Sequence, residues 1–262
     1  MKKGICFYFG FLIPTEERVK MIKEAGFDCV IASADPYFNK QNRSIKKQIS
    51  LFKKYGLELS SLHMRYKQED LPLFWTKSLK GYKQELALKK DIKVAHKYGF
   101  KEVVVHLEGE CSQVGINRLK RVLKLCHKLN VPLAVENLED NRALFYVFEN
   151  ISDDYLKFCW DCGHNNAFSK EIDFPTQFKD KLVCLHLHDN DGKEDLHTLN
   201  KYGTINWNEV AKKLATFDND IVLDYEILMH YREKEDNAGS VLAEVYEQAV
   251  ELEKNILKYK KG

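Results

Sequence analysis

Arginine is scarce in this chain, with seven among 41 basic residues, and proline is scarcer still at five of 262. So few guanidinium groups argue against many bidentate phosphate forks. The 41 Lys plus Arg are met by 39 Asp plus Glu, which leaves a net charge of +2 and no bulk pull toward nucleic acid or an acidic membrane. No Pro/Gly/Ser linker, low-complexity tract or repeat beyond a strand-helix alternation divides the sequence. There is also no apolar run near the ~20 residues that span a bilayer. Met1-Lys2-Lys3 and the apolar stretch from Ile5 to Ile13 have the outline of a signal peptide but lack a small-x-small cleavage site. They are read as a first buried strand and its loop.

Cysteine is limited to an odd seven without the regular spacing of a disulfide framework, and Cys6, Cys29, Cys126 and Cys184 lie in apolar surroundings. A reducing cytoplasm is the expected location. Cys159-Trp160-Asp161-Cys162 has a metal or redox spacing, but no second Cys pair is available to complete a zinc site. What the chain does contain, 44% hydrophobic and 31% charged residues, fits one globular domain over 1–262. A chain of this length buries roughly 70 to 75% of its unfolded surface, so a metal would be free to serve chemistry and not folding.

Short β-branched or aromatic runs alternate with amphipathic segments from end to end. Strands are expected at Ile5–Phe9, Cys29–Ser33, Glu58–His63, Glu102–His106, Pro132–Glu136, Lys157–Asp161, Val183–His188 and Ile221–Glu226. Helices are expected at Glu16–Ala25, Ser44–Tyr55, Lys77–Tyr98, Val114–Leu129, Ala143–Glu149, Thr176–Lys179, Asn208–Phe217 and Val241–Tyr259. Gly26, Gly56 and Gly99 stand where helices end in a left-handed residue. Eight strand-helix units match a parallel (β/α)8 TIM barrel with outer helices. The competing doubly wound sheet would want a glycine-rich loop after its first strand, and Phe7-Tyr8-Phe9-Gly10-Phe11 is not one.

In such a barrel the C-terminal strand ends face a common centre. Here they carry His63, His106, Glu136, Asp161, His186 with His188, and Glu226. With 39 acidic residues and 9 His in 262, six such positions would coincide by chance about 4 × 10⁻⁵ of the time, or about 10⁻³ when two positions per strand are allowed. Glu136 and Glu226 each follow an apolar run, where an unpaired carboxylate is costly to bury. A cation offsets several at once. Glu136, Asp161, His186 and Glu226 form a mixed O/N set suited to one divalent Mn, Mg, Co or Zn ion with open positions.

The segments Val135-Glu136-Asn137, Asp161-Cys162-Gly163-His164, His186-Leu187-His188-Asp189-Asn190-Asp191-Gly192, Asp195-Leu196-His197 and Gly203-Thr204-Ile205-Asn206-Trp207, with the late Glu226, resemble the xylose isomerase-like barrel superfamily over nearly the whole chain. That superfamily holds sugar and sugar-phosphate isomerases and epimerases, inosose dehydratases and isomerases, and endonuclease IV apurinic/apyrimidinic nucleases. The resemblance implies that Glu136, Asp161, His186 and Glu226 bind the catalytic metal and that His164 meets substrate or a second metal.

In the isomerase and epimerase branch, Glu136 and Glu226 would withdraw and return a proton through an enediolate, while His188 and His164 hold hydroxyls. Arg65, Arg142 or Lys193 would meet a phosphate or carboxylate. The endonuclease IV branch uses up to three zinc ions, for which His63, His106, Asp195 and His197 resemble the additional ligands. A dehydratase is a further alternative. In the sugar reading His63, His106, Asp195 and His197 contact substrate beside His164 and His188. The nine-residue interval from His186 to Asp195, the two motifs after it and the Arg-poor chain favour the sugar-acting branch. Pro72-Leu73-Phe74-Trp75 is the best candidate for a duplex wedge or a sugar cover. One departure is that Glu139 and Asp140 come early, followed by Arg142, where some ketose epimerases place a further carboxylate. The expected partner is a small carbohydrate, with no nucleic acid or membrane; a homo-oligomer is compatible with the sequence.

Overall fold

A computed structural model describes residues 1–35, 44–217, 221–229 and 237–260. Its strands are β1 (Lys3–Cys6), β2 (Cys29–Ser33), β3 (Glu58–His63), β4 (Glu102–Val105), β5 (Leu133–Glu136), β6 (Leu156–Asp161), β7 (Leu182–His186) and β8 (Leu223–Tyr225). All pair in parallel in the order β7-β6-β5-β4-β3-β2-β1-β8. The two edges meet where the Leu187 N–H donates to the Asp224 carbonyl at 2.9 Å and the Glu226 N–H donates to the Leu187 carbonyl at 3.0 Å. The result is the expected (β/α)8 TIM barrel, with strand ends displaced by up to three residues from those expected. The Met1–Ile13 segment supplies β1 and its loop.

Around the barrel run α1 (Thr15–Glu24), α2 (Ile45–Lys54), α3 (Leu79–Tyr98), α4 (Gln113–Leu129), α5 (Arg142–Asn150), α6 (Cys162–Phe168), α7 (Phe174–Gln177), α8 (Trp207–Ala215) and α9 (Ala238–Lys260). On α4 the 3.6-residue stripe Ile116, Leu119, Leu123 and Cys126 is buried, as its spacing predicts. Ser78 caps α3 by accepting from the Gly81 N–H, and Gly99 ends the helix at φ 84°. No helix among the described residues is long and apolar enough to cross a membrane.

One expectation is corrected, and the Cys159/Cys162 spacing, already discounted, is placed in the fold. Pro72-Leu73-Phe74-Trp75 lies in a 3-10 segment, Gln68–Trp75, with Phe74 and Trp75 buried. The Trp75 indole donates to the Glu108 carbonyl at 2.9 Å. These aromatic rings serve the core, so they can neither wedge a duplex nor cover a sugar. The Cys159/Cys162 spacing also makes no pair. Cys159 packs with Val104, Ala134 and Cys184 in a small core of their own, whereas Cys162 opens α6 and its thiol donates to the His188 carbonyl.

The α3–α4 contact contains a buried ion cluster. Glu85 accepts a bidentate pair from Arg121, at 2.9 and 2.6 Å, and a further bond from Lys89 at 2.6 Å. Arg121 and Lys89 pull the Glu85 carboxyl down to about 2 against the effect of burial. A folded value below the ordinary 4.5 means that this stabilisation is complete above pH 4.5 and is lost as pH falls toward 2. Glu85→Gln should therefore lower the unfolding free energy by about 2 kcal/mol at pH 7, a figure reduced for the half-exposed Arg121. In urea titrations the gap from the parent protein should narrow below pH 4.5 and close only below about pH 2.

Candidate metal centre

Parallel strands with inward-facing alternate side chains bring the expected acidic and imidazole groups to one mouth. His63 ends β3, Glu136 ends β5, Asp161 ends β6 and His186 ends β7, while His106 and Glu226 directly follow β4 and β8. Glu136, Asp161, His186 and Glu226 each present one donor atom, all within 4.8 Å of one another. His186 Nδ1 lies 3.2 Å from Glu136 Oε1 and 3.1 Å from Glu226 Oε2.

Two triads flank this set under the same limit, His63 with His106 and Glu136, and His164 with Asp195 and His197. In the first, His63 Nε2 is 3.1 Å from His106 Nε2, which is 3.2 Å from Glu136 Oε2. In the second, Asp195 Oδ2 lies 3.2 Å from His164 Nε2 and 3.0 Å from His197 Nε2. The Nδ1 atoms of His63, His164 and His197 face the carbonyls of Met64, Asn137 and Glu226 at 3.0, 2.9 and 2.7 Å. A carbonyl only accepts, so each Nδ1 donates, and the neutral ring then points a lone pair inward. The His63 lone pair can accept from a neutral His106 Nε2–H, but the lone pairs of His164 and His197 that face the Asp195 carboxylate require either a second proton on the ring or a cation between the groups.

The electrostatics agree with that requirement. Burial alone would raise Glu136, Glu226 and Asp195, yet neighbouring imidazoles draw all three below the carboxylate range. Burial alone would lower His186, His164 and His197, yet carboxylates and, at His186, the Cys159 thiol raise them, His197 to about 9. Glu136 Oε1 and both ring nitrogens of His186 are buried without a hydrogen-bond partner among the described residues. Orphaned polar atoms inside an acidic cluster fit a divalent ion, which supplies the missing partner and the compensating charge.

A second layer holds these groups in place. The Asn137 amide clamps β6, donating to the Asp161 carbonyl and accepting from the Asp161 N–H, both at 2.8 Å. Asp161 Oδ1 caps α6 by accepting from the His164 N–H at 2.6 Å. Asp189 accepts from the N–H groups of Thr204 and Ile205 and from the Trp207 indole at 2.9, 3.0 and 2.7 Å. The Gly203–Trp207 motif is thus a brace for the seventh strand's loop.

The cavity at the centre measures about 110 Å³ and is lined in part by His63, His106, Glu136, His164, His197 and Glu226, with Asp195 beside them. His188, expected to hold hydroxyls, is instead fully buried behind Asp161, 3.0 Å from its carboxylate, and stacks on His197 at 3.9 Å. It does not line the cavity. Arg65 is bound to Asp91 and Arg142 to Asp140, while Lys193 is exposed outside the cavity lining, so none of the three presents a dedicated anion contact. Tyr66 was not singled out by the sequence, where it follows β3 without periodic signal. Its ring stands 4.3 Å from that of His106 and 5.5 Å from that of His63.

Residues 19–247 match the family described as xylose isomerase-like TIM barrel, and the chain belongs to that family. The uncharacterized protein y4fM of Sinorhizobium fredii is 30% identical over 111 residues, which make up 40% of this chain and 36% of that protein. The match therefore spans little more than a third of that relative. Among solved structures, a D-tagatose 3-epimerase-like protein shows a TM-score of 0.74 at 20% identity, covering 100% of this chain and 98% of that one. The IolI protein, solved with a bound zinc atom, shows a TM-score of 0.73 at 15% identity and covers 99% of both chains. Likeness at these identities is one of fold.

Proposed function

We propose that this chain is a divalent-metal-dependent isomerase or epimerase of a sugar, sugar phosphate or related polyol, acting through an enediolate. The observation that carries the reading is the placement of two carboxylates, Glu136 and Glu226, on either side of His186 at the barrel mouth. Glu136, Asp161, His186 and Glu226 are the proposed ligands. A bound Mn, Mg, Co or Zn ion supplies Lewis acidity toward neighbouring hydroxyl and carbonyl oxygens. Glu136 withdraws the proton beside the carbonyl, and Glu226 returns one to the other face of the same carbon or to the adjacent carbon. His63, His106, His164, Asp195 and His197 orient the hydroxyls. The fold shared with a D-tagatose 3-epimerase-like protein supports the reading, as does a near-neutral chain without the charge that gripping a duplex requires.

A second reading, a phosphodiester hydrolase of the endonuclease IV kind with up to three zinc ions, is favoured by one observation. The flanking triads adjoin the central set, and Glu136 belongs to both the central set and one triad. Metal-loaded protein should exchange a substrate carbon-bound proton with deuterated solvent when offered ketoses, inososes or their phosphates, and should leave duplex DNA with an abasic site intact. Cleavage of that DNA without any exchange would reverse the ranking.

His63→Ala tests the ion count. If the flanking triads bind ions, elemental analysis of the variant should show one ion fewer than the parent, with the central ion retained. A count of one ion in both proteins would assign His63 to substrate contact alone.

A further inference from the structure

A second cavity, about 710 Å³, adjoins the first. Asp35, Tyr66 and His106 line both, so the two are contiguous across the Tyr66 ring. The central cavity, at about 110 Å³, holds only about three or four water volumes, enough for the reacting end of a substrate. The larger one falls within the roughly 300–1,000 Å³ of ligand pockets.

Its chemistry is specific. Met64, Leu71, Phe74, Leu88, Val105 and Leu107 provide a buried apolar floor. Within that wall Gln84 donates its Nε2 to the Asp70 carbonyl. Its Oε1 is closed to solvent, so Gln84 lines the wall without offering the lumen an acceptor. At the rim stand Lys67 and Lys83, both exposed and without an ion-pair partner among the described residues. We infer that this annex binds the non-reacting part of a conjugated substrate, a flat apolar ring bearing a negative charge. The inference rests on the reading of the adjoining centre as the substrate site. It deepens that reading, because the substrate becomes a conjugate larger than a free sugar.

The probe is 1-anilinonaphthalene-8-sulfonate, which combines a flat ring system and an anionic group. It should bind at one saturable site. Ala87→Trp, which fills the annex from α3, should weaken binding at least tenfold with metal content and melting temperature unchanged. Lys83→Glu should weaken it several-fold at low salt and less at high salt. Glu136→Gln should bind the probe as the parent does, so failure of the metal reading leaves this measurement standing. By calorimetry, a naphthyl conjugate of any polyol that binds should bind at least tenfold tighter than the parent polyol, and Ala87→Trp should erase that advantage. Probe affinity within twofold of the parent protein in Ala87→Trp, or equal affinities of conjugate and free polyol, would overturn the inference.

Discussion

Glu136→Gln is expected to reduce turnover at least ~10³-fold, equivalent to about 4 kcal/mol of transition-state stabilisation, while the barrel stays folded. The amide keeps the shape of the side chain but removes a negative charge and one acceptor. Glu136 is the residue common to the central set and the His63–His106 triad, and it is only 1% exposed, so solvent does not replace what is lost. The imidazoles of His186 and His106 that draw its carboxyl down would lose their counter-charge together. Elemental analysis should show a lower metal content, and circular dichroism an unchanged spectrum. Retention of more than about a tenth of the parent activity would remove Glu136 from the mechanism.

Gly163→Ala should be nearly as damaging, although Gly163 carries no functional group. A Cβ at this position would lie 1.9 Å from His188 Cε1. The His188 ring has nowhere to retreat, being fully buried, stacked on His197 and hydrogen-bonded to Asp161. Asp161 belongs to the central set and His197 to a flanking triad, so one methyl group disturbs both. Overpacking of this kind costs about 1–3 kcal/mol of stability. Activity should fall by ~10²-fold, because displaced ligands lose the alignment on which catalysis depends. Comparison of melting temperature, metal content and turnover in Gly163→Ala checks this; parent-like values for all three would show that α6 can shift to accommodate the methyl group.

The barrel was legible because its strands are short β-branched runs that stop at Asp, Glu or His, and because helices such as α4 keep one apolar stripe. The same pattern exposed the centre, since side chains at successive strand ends must converge once the sheet curls shut. Helix α6 escaped notice because it has only seven residues, includes a glycine and two asparagines, and is nucleated by Asp161, which also reads as the end of a strand. His188 was misplaced because alternation along β7 puts it on the same side as His186. The strand ends at His186, however, and Asp189 then pairs antiparallel with Thr198. The chain leaves the wall there and the ring turns toward Gly163. Phe74 and Trp75 misled because loop aromatics look exposed until the core that receives them is known. No sequence pattern marks the annex, which arises from the β3 loop, α3 and the end of β4 meeting in space.

The sheet closes where Leu187 bridges to Tyr225, one residue beyond His186 and one before Glu226. An ion gripped by those two side chains would rivet the two sheet edges, β7 and β8, at which the cylinder closes. Any excursion that unzipped this join would have to release the ion first, so loading the centre raises the free energy of opening in proportion to the logarithm of free ion over its dissociation constant. Chemistry and mechanical integrity would then share a single fastening.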